Sequence, residues 1–123
     1  MLLGIDVSKW QGEMDWQRAA DAGAKFAFIR AGSISIGGIL YTDYHYMRNV
    51  SLAPDHMPIG LYWYFRPQHS PIAQAEYFFD LIDGEDWEIP PVADIENDGG
   101  LSPAAYADSV TAFVERLENL TGK

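Results

Sequence analysis

Asp94 and Glu96 stand two residues apart at the end of an apolar run, Pro91–Val92–Ala93, and Asn97–Asp98–Gly99–Gly100 breaks the chain directly afterwards. On a strand, side chains alternate with period two, so both carboxylates point to one face. Their Cα atoms then lie ~6–7 Å apart. Such a pair is costly for folding, because each charge disfavours ionisation of the other. It is also the arrangement that acid/base chemistry on a glycosidic bond uses. A solvated edge strand that carries two acids is the plain alternative. A third acid, Asp6, ends the apolar run that begins at Leu2.

These acids need elements to hold them. Leu2–Val7 reads as a strand, followed by a loop through Ser8–Gly12. Asp15 is a helix N-cap, and Trp16, Ala19, Ala20 and Gly23 recur at helical spacing. Phe26–Ala31 is a second strand, nearly all apolar, as in a sheet buried on both faces. Gly32 to Thr42 reads as a loop. Asp43 caps a second helix that Pro54 ends. Pro58–Phe65 is a third, aromatic strand. Ser70–Pro71 starts a third helix, with Ile72, Ala75, Phe78, Phe79 and Ile82 on one face. Pro90–Pro91 leads into the fourth strand, and Ser102–Pro103 starts a last helix reaching about Leu120. The order β-α-β-α-β-α-β-α argues for an α/β fold with a parallel sheet, either a doubly wound open sheet or a β/α barrel.

In a parallel sheet, functional groups gather at the C-terminal ends of the strands. Asp6, Asp94 and Glu96 therefore cluster at one end. Trp10, Tyr62, Trp63, Tyr64 and Phe65 lie at or just past such ends as well. Flat aromatic faces beside carboxylates suit a sugar, whose apolar C–H faces stack on rings. Strand alternation sends about half of Leu61–Phe65 into the core instead. Arg30 ends the second strand and is placed to neutralise the acids.

Composition narrows the function classes. The chain has 123 residues, enough for one domain with a moderate core, and is 48% hydrophobic. Net charge is −10, with 18 acidic against 8 basic residues, which argues against a nucleic-acid partner. There is no cysteine, so disulfides, thiolate metal sites and thiol nucleophiles are excluded. No apolar run approaches the ~20 residues that span a membrane, and the start has no signal-peptide pattern. Gly37–Gly38 lacks the Lys–Ser/Thr of a phosphate loop. His45, His56 and His69 show no metal spacing and read as ordinary loop residues. Asp80, Asp83, Glu85, Asp86 and Glu88 read as a solvated face.

Gly4–Ile5–Asp6–Val7–Ser8 with Trp10–Gln11–Gly12, then Phe28–Ile29–Arg30, Gly60–Leu61–Tyr62–Trp63–Tyr64–Phe65 and Asp94–Ile95–Glu96 together resemble glycoside hydrolase family 25. These are the lysozymes, or muramidases, of phages, bacteria and fungi. The resemblance runs along the whole chain. It implies a β/α barrel, of which residues 1–123 supply about the first four βα units, the N-terminal portion of a single domain. It implies cleavage of the β-1,4 bond between N-acetylmuramic acid and N-acetylglucosamine in peptidoglycan. On the matching positions, Glu96 is the general acid, Asp94 the partner that supports oxocarbenium-like charge, and Asp6 a third site acid. Tyr62, Tyr64, Trp10 and Arg30 are the substrate-binding candidates. No metal and no cofactor are expected.

Family members usually continue for several more βα elements. The resemblance therefore implies a half barrel with open strand edges, and self-association or a companion C-terminal half to cover them. With no signal-peptide pattern at the start, the expected place is the cytoplasm until release, or export by a route that needs no cleaved signal, with action at the bacterial cell wall. Two other readings stay open: a non-catalytic peptidoglycan-binding or split-enzyme half, and a chitinase-like glycosidase. Trp10–Gln11–Gly12 favours the muramidase over the latter.

Overall fold

A computed structural model describes residues 2–122. In chain order it contains β1 (Leu3–Val7), a 3₁₀ turn (Lys9–Gln11), α1 (Trp16–Asp21), β2 (Ala24–Ile34), β3 (Leu40–Thr42), α2 (Tyr46–Leu52), β4 (Ile59–Tyr64), α3 (Pro71–Ile82), β5 (Ile89–Asp94) and α4 (Pro103–Thr121). The sheet order is β1-β2-β4-β5, all parallel, with β3 added antiparallel to β2. An α/β fold with a parallel sheet is thus as the alternation predicts.

Capping chemistry explains where the helices begin. The Asp15 side chain accepts from the Arg18 amide at the start of α1. Ser70 and Ser102 accept from Ala73 and Ala105, with proline in the first turn of α3 and α4. The α2 start differs from expectation. Asp43 is not its N-cap; His45 is, and without a side-chain cap. Asp43 is drawn instead into a buried ion pair with Arg30, a stronger partner for a carboxylate than a helix end.

A second correction concerns residues 32–42. They form a hairpin, not a loop. β2 runs on to Ile34 after β1 has ended opposite Ile29, and β3 pairs with that extension through Gly32↔Thr42 and Ile34↔Leu40. Gly32 makes this possible: a Cβ there would collide with the Tyr41 carbonyl oxygen and the Trp63 ring.

The two faces of the sheet are not alike. Ala27, Ile29, Ala31, Ile59, Leu61 and Trp63 are buried, and they form one core with Phe78 and Ile82 of α3 and Phe113 of α4. Each large side chain so enclosed contributes roughly 1.5–3 kcal/mol. The alternate residues Phe26, Phe28, Tyr62 and Tyr64 are only half-buried. The expectation of burial on both faces therefore fails for β2. Its apolar run reflects helices on one side and an aromatic surface, including an edge-to-face Phe26–Phe28 pair at 5.9 Å, on the other.

Candidate active site

That second face carries the candidate residues. Period two puts Asp6 beside Phe28, Arg30 beside Tyr62, and Tyr64 beside Asp94 in the strand register. Trp63 and Phe65 turn the other way and are fully buried, as alternation requires. A cleft of about 570 Å³ lies over this face, and its walls include Asp6, Trp10, Arg30, Tyr62, Tyr64, Asp94 and Glu96. All seven residues expected from the sequence meet there. A groove of about 470 Å³ at the opposite strand ends, around Met57 and Glu88, gathers no comparable set.

β5 ends at Asp94, and Glu96 follows just beyond. Asx turns stop the strand: Asn97 Oδ1 accepts from the Gly99 amide at 2.6 Å and Asp98 Oδ1 from the Gly100 amide at 2.9 Å. Gly99 and Gly100 both take positive φ, 63° and 75°, which a side chain would strain. Asp94 is half-buried; Glu96 is exposed to the cleft.

The Asp94 carboxyl is pushed up from 3.8 to about 6. Burial is the main cause. The charge of Glu96 and a hydrogen bond between the two side chains come next, then the charge of Asp6, while Arg30 pulls the other way. The pair therefore keeps a proton well above the usual carboxylate range. The elevated group is Asp94, the acid that sits deeper. The Tyr62 hydroxyl is raised to about 12, by burial first and the Asp6 charge second, so it remains a donor.

The cleft walls are braced by polar residues. Ser8 and Gln11 cap each other around the 3₁₀ turn that presents Trp10: Ser8 Oγ accepts from the Trp10 amide at 3.2 Å, and Gln11 Oε1 from the Ser8 amide at 2.6 Å. Arg66 lies over the Tyr64 ring, 5.2 Å from its centroid, and its Nε donates to the Ile34 carbonyl at 2.8 Å.

Arg30 differs from expectation in one respect. Its direct partner is Asp43, Nε to Oδ2 at 2.9 Å, and it acts on the site acids only through space. Asp43 and Gln74 are the residues that sequence reasoning missed. Gln74 is fully buried; its Oε1 accepts from Trp63 Nε1 at 3.0 Å and the Arg66 amide at 3.1 Å, and its Nε2 donates to the Arg66 carbonyl at 2.8 Å. A glutamine inside the apolar stripe of α3 was the available signal. For Asp43 the signal was weaker, an arginine at a strand end in need of a partner. Among the described residues, no group of three or more His, Cys, Asp or Glu side chains could hold a metal ion.

The sequence profile of the glycosyl hydrolases family 25 matches residues 5–123. The chain belongs to this family. The D-x-E at the end of β5 and the Asp6 of β1 both line the cleft, from the two ends of the strand order. Among relatives, the chain is 36% identical over 126 residues to the Escherichia coli K12 protein YegX, described as uncharacterized, across 98% of this chain and 45% of YegX. It is 38% identical over 101 residues to Lysozyme M1 of Streptomyces globisporus, covering 76% of this chain and 32% of that one. The solved family 25 glycosyl hydrolase from Bacillus anthracis superimposes with a TM-score of 0.85 at 27% identity, covering all of this chain and 58% of that one. The chain thus spans half or less of the length of these two sequence relatives.

Proposed function

We propose that this chain supplies the acid-bearing part of a peptidoglycan muramidase. The reaction is hydrolysis of the β-1,4 bond between N-acetylmuramic acid and N-acetylglucosamine. One observation carries the reading: Asp94 and Glu96 meet in one aromatic-walled cleft of a family 25 chain, with the Asp94 carboxyl raised. Glu96 reaches the open cleft and serves as general acid. It protonates the glycosidic oxygen as the bond from the sugar C1 breaks, and it recovers a proton from the water that adds to C1. Asp94, beneath it, supports the positive charge that develops on the sugar ring, either directly or by orienting the substrate acetamido group. Asp6 orients substrate from β1. Tyr62, Tyr64 and Trp10 offer ring faces and hydroxyls to the sugar, and Arg30 offers positive charge.

The sheet is read as the first half of a β/α barrel, acting at the bacterial cell wall. β5 pairs only with β4 among the described residues. Beside it lies an apolar groove of about 430 Å³, lined in part by Pro91, Ala93, Phe113 and Leu117. Self-association or a companion C-terminal half covers this edge in the working protein. The free edge of β5 also favours a second reading, a half that binds peptidoglycan without turning it over.

Bacterial cell walls and soluble chitin, each treated with the protein and with Glu96→Gln, separate the readings. Wall clearing that the substitution abolishes supports the muramidase. Wall pull-down without clearing supports the binding half. Cleavage of chitin in preference to walls overturns both.

A further inference from the structure

Asp43 occupies a position that neither the motifs nor the family assignment explains. Its side chain is wholly enclosed. Three donors converge on it: Arg30 Nε at 2.9 Å and the Lys9 amide at 3.1 Å on Oδ2, and the His45 amide at 3.0 Å on Oδ1. A buried carboxylate without partners is strongly unfavourable, and this one has partners from its own segment and from two others, the Lys9 turn and β2. Two of those segments form the cleft. Lys9 begins the 3₁₀ turn that carries Trp10, and Arg30 lies on β2 beside Tyr62.

The form of the ion pair matters more than its presence. An arginine whose task is only to balance a carboxylate commonly engages it with two parallel N–H bonds. Arg30 gives Asp43 its Nε alone, and its Nη2 is buried with no hydrogen-bond partner. One contact thus fixes the direction of the guanidinium and leaves its other donors unspent, in a residue that lines the cleft. An unsatisfied buried donor is a cost the fold carries, and because Nη2 is enclosed, any contact of Arg30 with a bound sugar falls to the part of the residue that lines the cleft.

We propose that Asp43 is a positioning residue, which holds the guanidinium of Arg30 and the Trp10 turn in the orientation that presents them to an oxygen acceptor of the bound sugar. The inference rests on the glycan-binding reading above. Asp43 itself touches no substrate. Its effect passes through Arg30 and through the backbone of Lys9.

The test is a double-mutant cycle read by binding, with glycan strands released from bacterial walls as the probe in calorimetry. The variants are Asp43→Asn, Arg30→Met and the two combined. Asp43→Asn weakens binding roughly tenfold to a hundredfold, and so does Arg30→Met. The combined variant is no weaker than the worse single one, because both changes remove the same interaction. Amide hydrogen exchange on the same samples rises at Lys9 in Asp43→Asn and stays unchanged in the β2–β4 ladder. If Asp43→Asn fails to fold by circular dichroism, Asp43→Glu keeps the charge, displaces it, and weakens binding in the same way. Wild-type binding with an unaltered Asp43→Asn, or losses that multiply in the combined variant, overturns the proposal and leaves the functional reading standing. A wild-type protein that binds no glycan overturns the functional reading and takes this one with it, whatever the exchange data show.

Discussion

Asp94 and Glu96 stand two residues apart where β5 ends, and the Asp94 carboxyl is raised to about 6, first by its burial and then by the charge of Glu96. Burial of Asp94 and the negative charge of Glu96 both favour the protonated state.

Glu96→Gln is expected to lower the rate of wall hydrolysis by roughly 10²–10⁴, the usual worth of a positioned general acid. Affinity for glycan strands should change little, because the amide keeps the size and polarity of the acid. Reducing-end release and wall pull-down, measured on one preparation, check both halves.

Activity that needs the proton on Asp94 should fall as pH rises through about 6. Asp94→Asn removes the group that titrates there, and the limb near pH 6 should then be lost from the pH–rate profile. Stability follows the same group with a definite sign. The carboxyl is raised in the folded state, to about 6 from 3.8, so between those values the folded state binds more protons than the unfolded one. The contribution of Asp94 to stability is therefore lost as pH climbs from about 4 to about 6, and is constant beyond. Urea midpoints across that window should fall less in Asp94→Asn than in the wild type.

Gln74→Leu should cost about 3 kcal/mol, since it strands the Trp63 indole N–H and the Arg66 backbone in the interior. Equilibrium unfolding in urea measures this directly. The Arg66 loop that Gln74 holds also places the guanidinium over Tyr64, so glycan binding should weaken in parallel.

Gly32→Ala should be similarly damaging, on the order of 2–4 kcal/mol, because its new methyl group meets the backbone of β3. The hairpin must open to accept it. Loss of amide protection at Tyr41 and Thr42, with β4 and β5 still protected, would mark the effect as local.

Light scattering should report a species heavier than the 13.8 kDa monomer, because among the described residues β5 pairs only with β4 and the groove around Phe113 and Leu117 lies beside it. A monodisperse monomer would remove self-association from the proposal.

The period-two pattern made most of the site legible in advance. Asp6, Tyr62, Tyr64 and Asp94 fall on one face simply by counting, and Trp63 and Phe65 fall on the other. What counting could not reach were contacts across long separations. Asp43 looks like a helix cap from its neighbours alone, and only the tertiary fold offers it Arg30 and the Lys9 amide. The β3 strand is three residues long, too short for a pattern, and depends on Gly32 admitting a backbone at close range. The reading of β2 as doubly covered failed because an apolar sequence does not say whether its second face meets helices or a cleft.

β2 has a further consequence, for the order of assembly. It pairs with β1, β3 and β4, and none of those three pairs with another of them. Only the β4–β5 pairing can therefore form without β2, and both of its strands come later in the chain. The nearest pairing in sequence is the return of β2 itself, Ile34 with Leu40, which closes the shortest loop and loses the least chain entropy. As the chain emerges during synthesis, this small hairpin is the first piece of sheet able to close locally, with the later strands adding to an edge already in place.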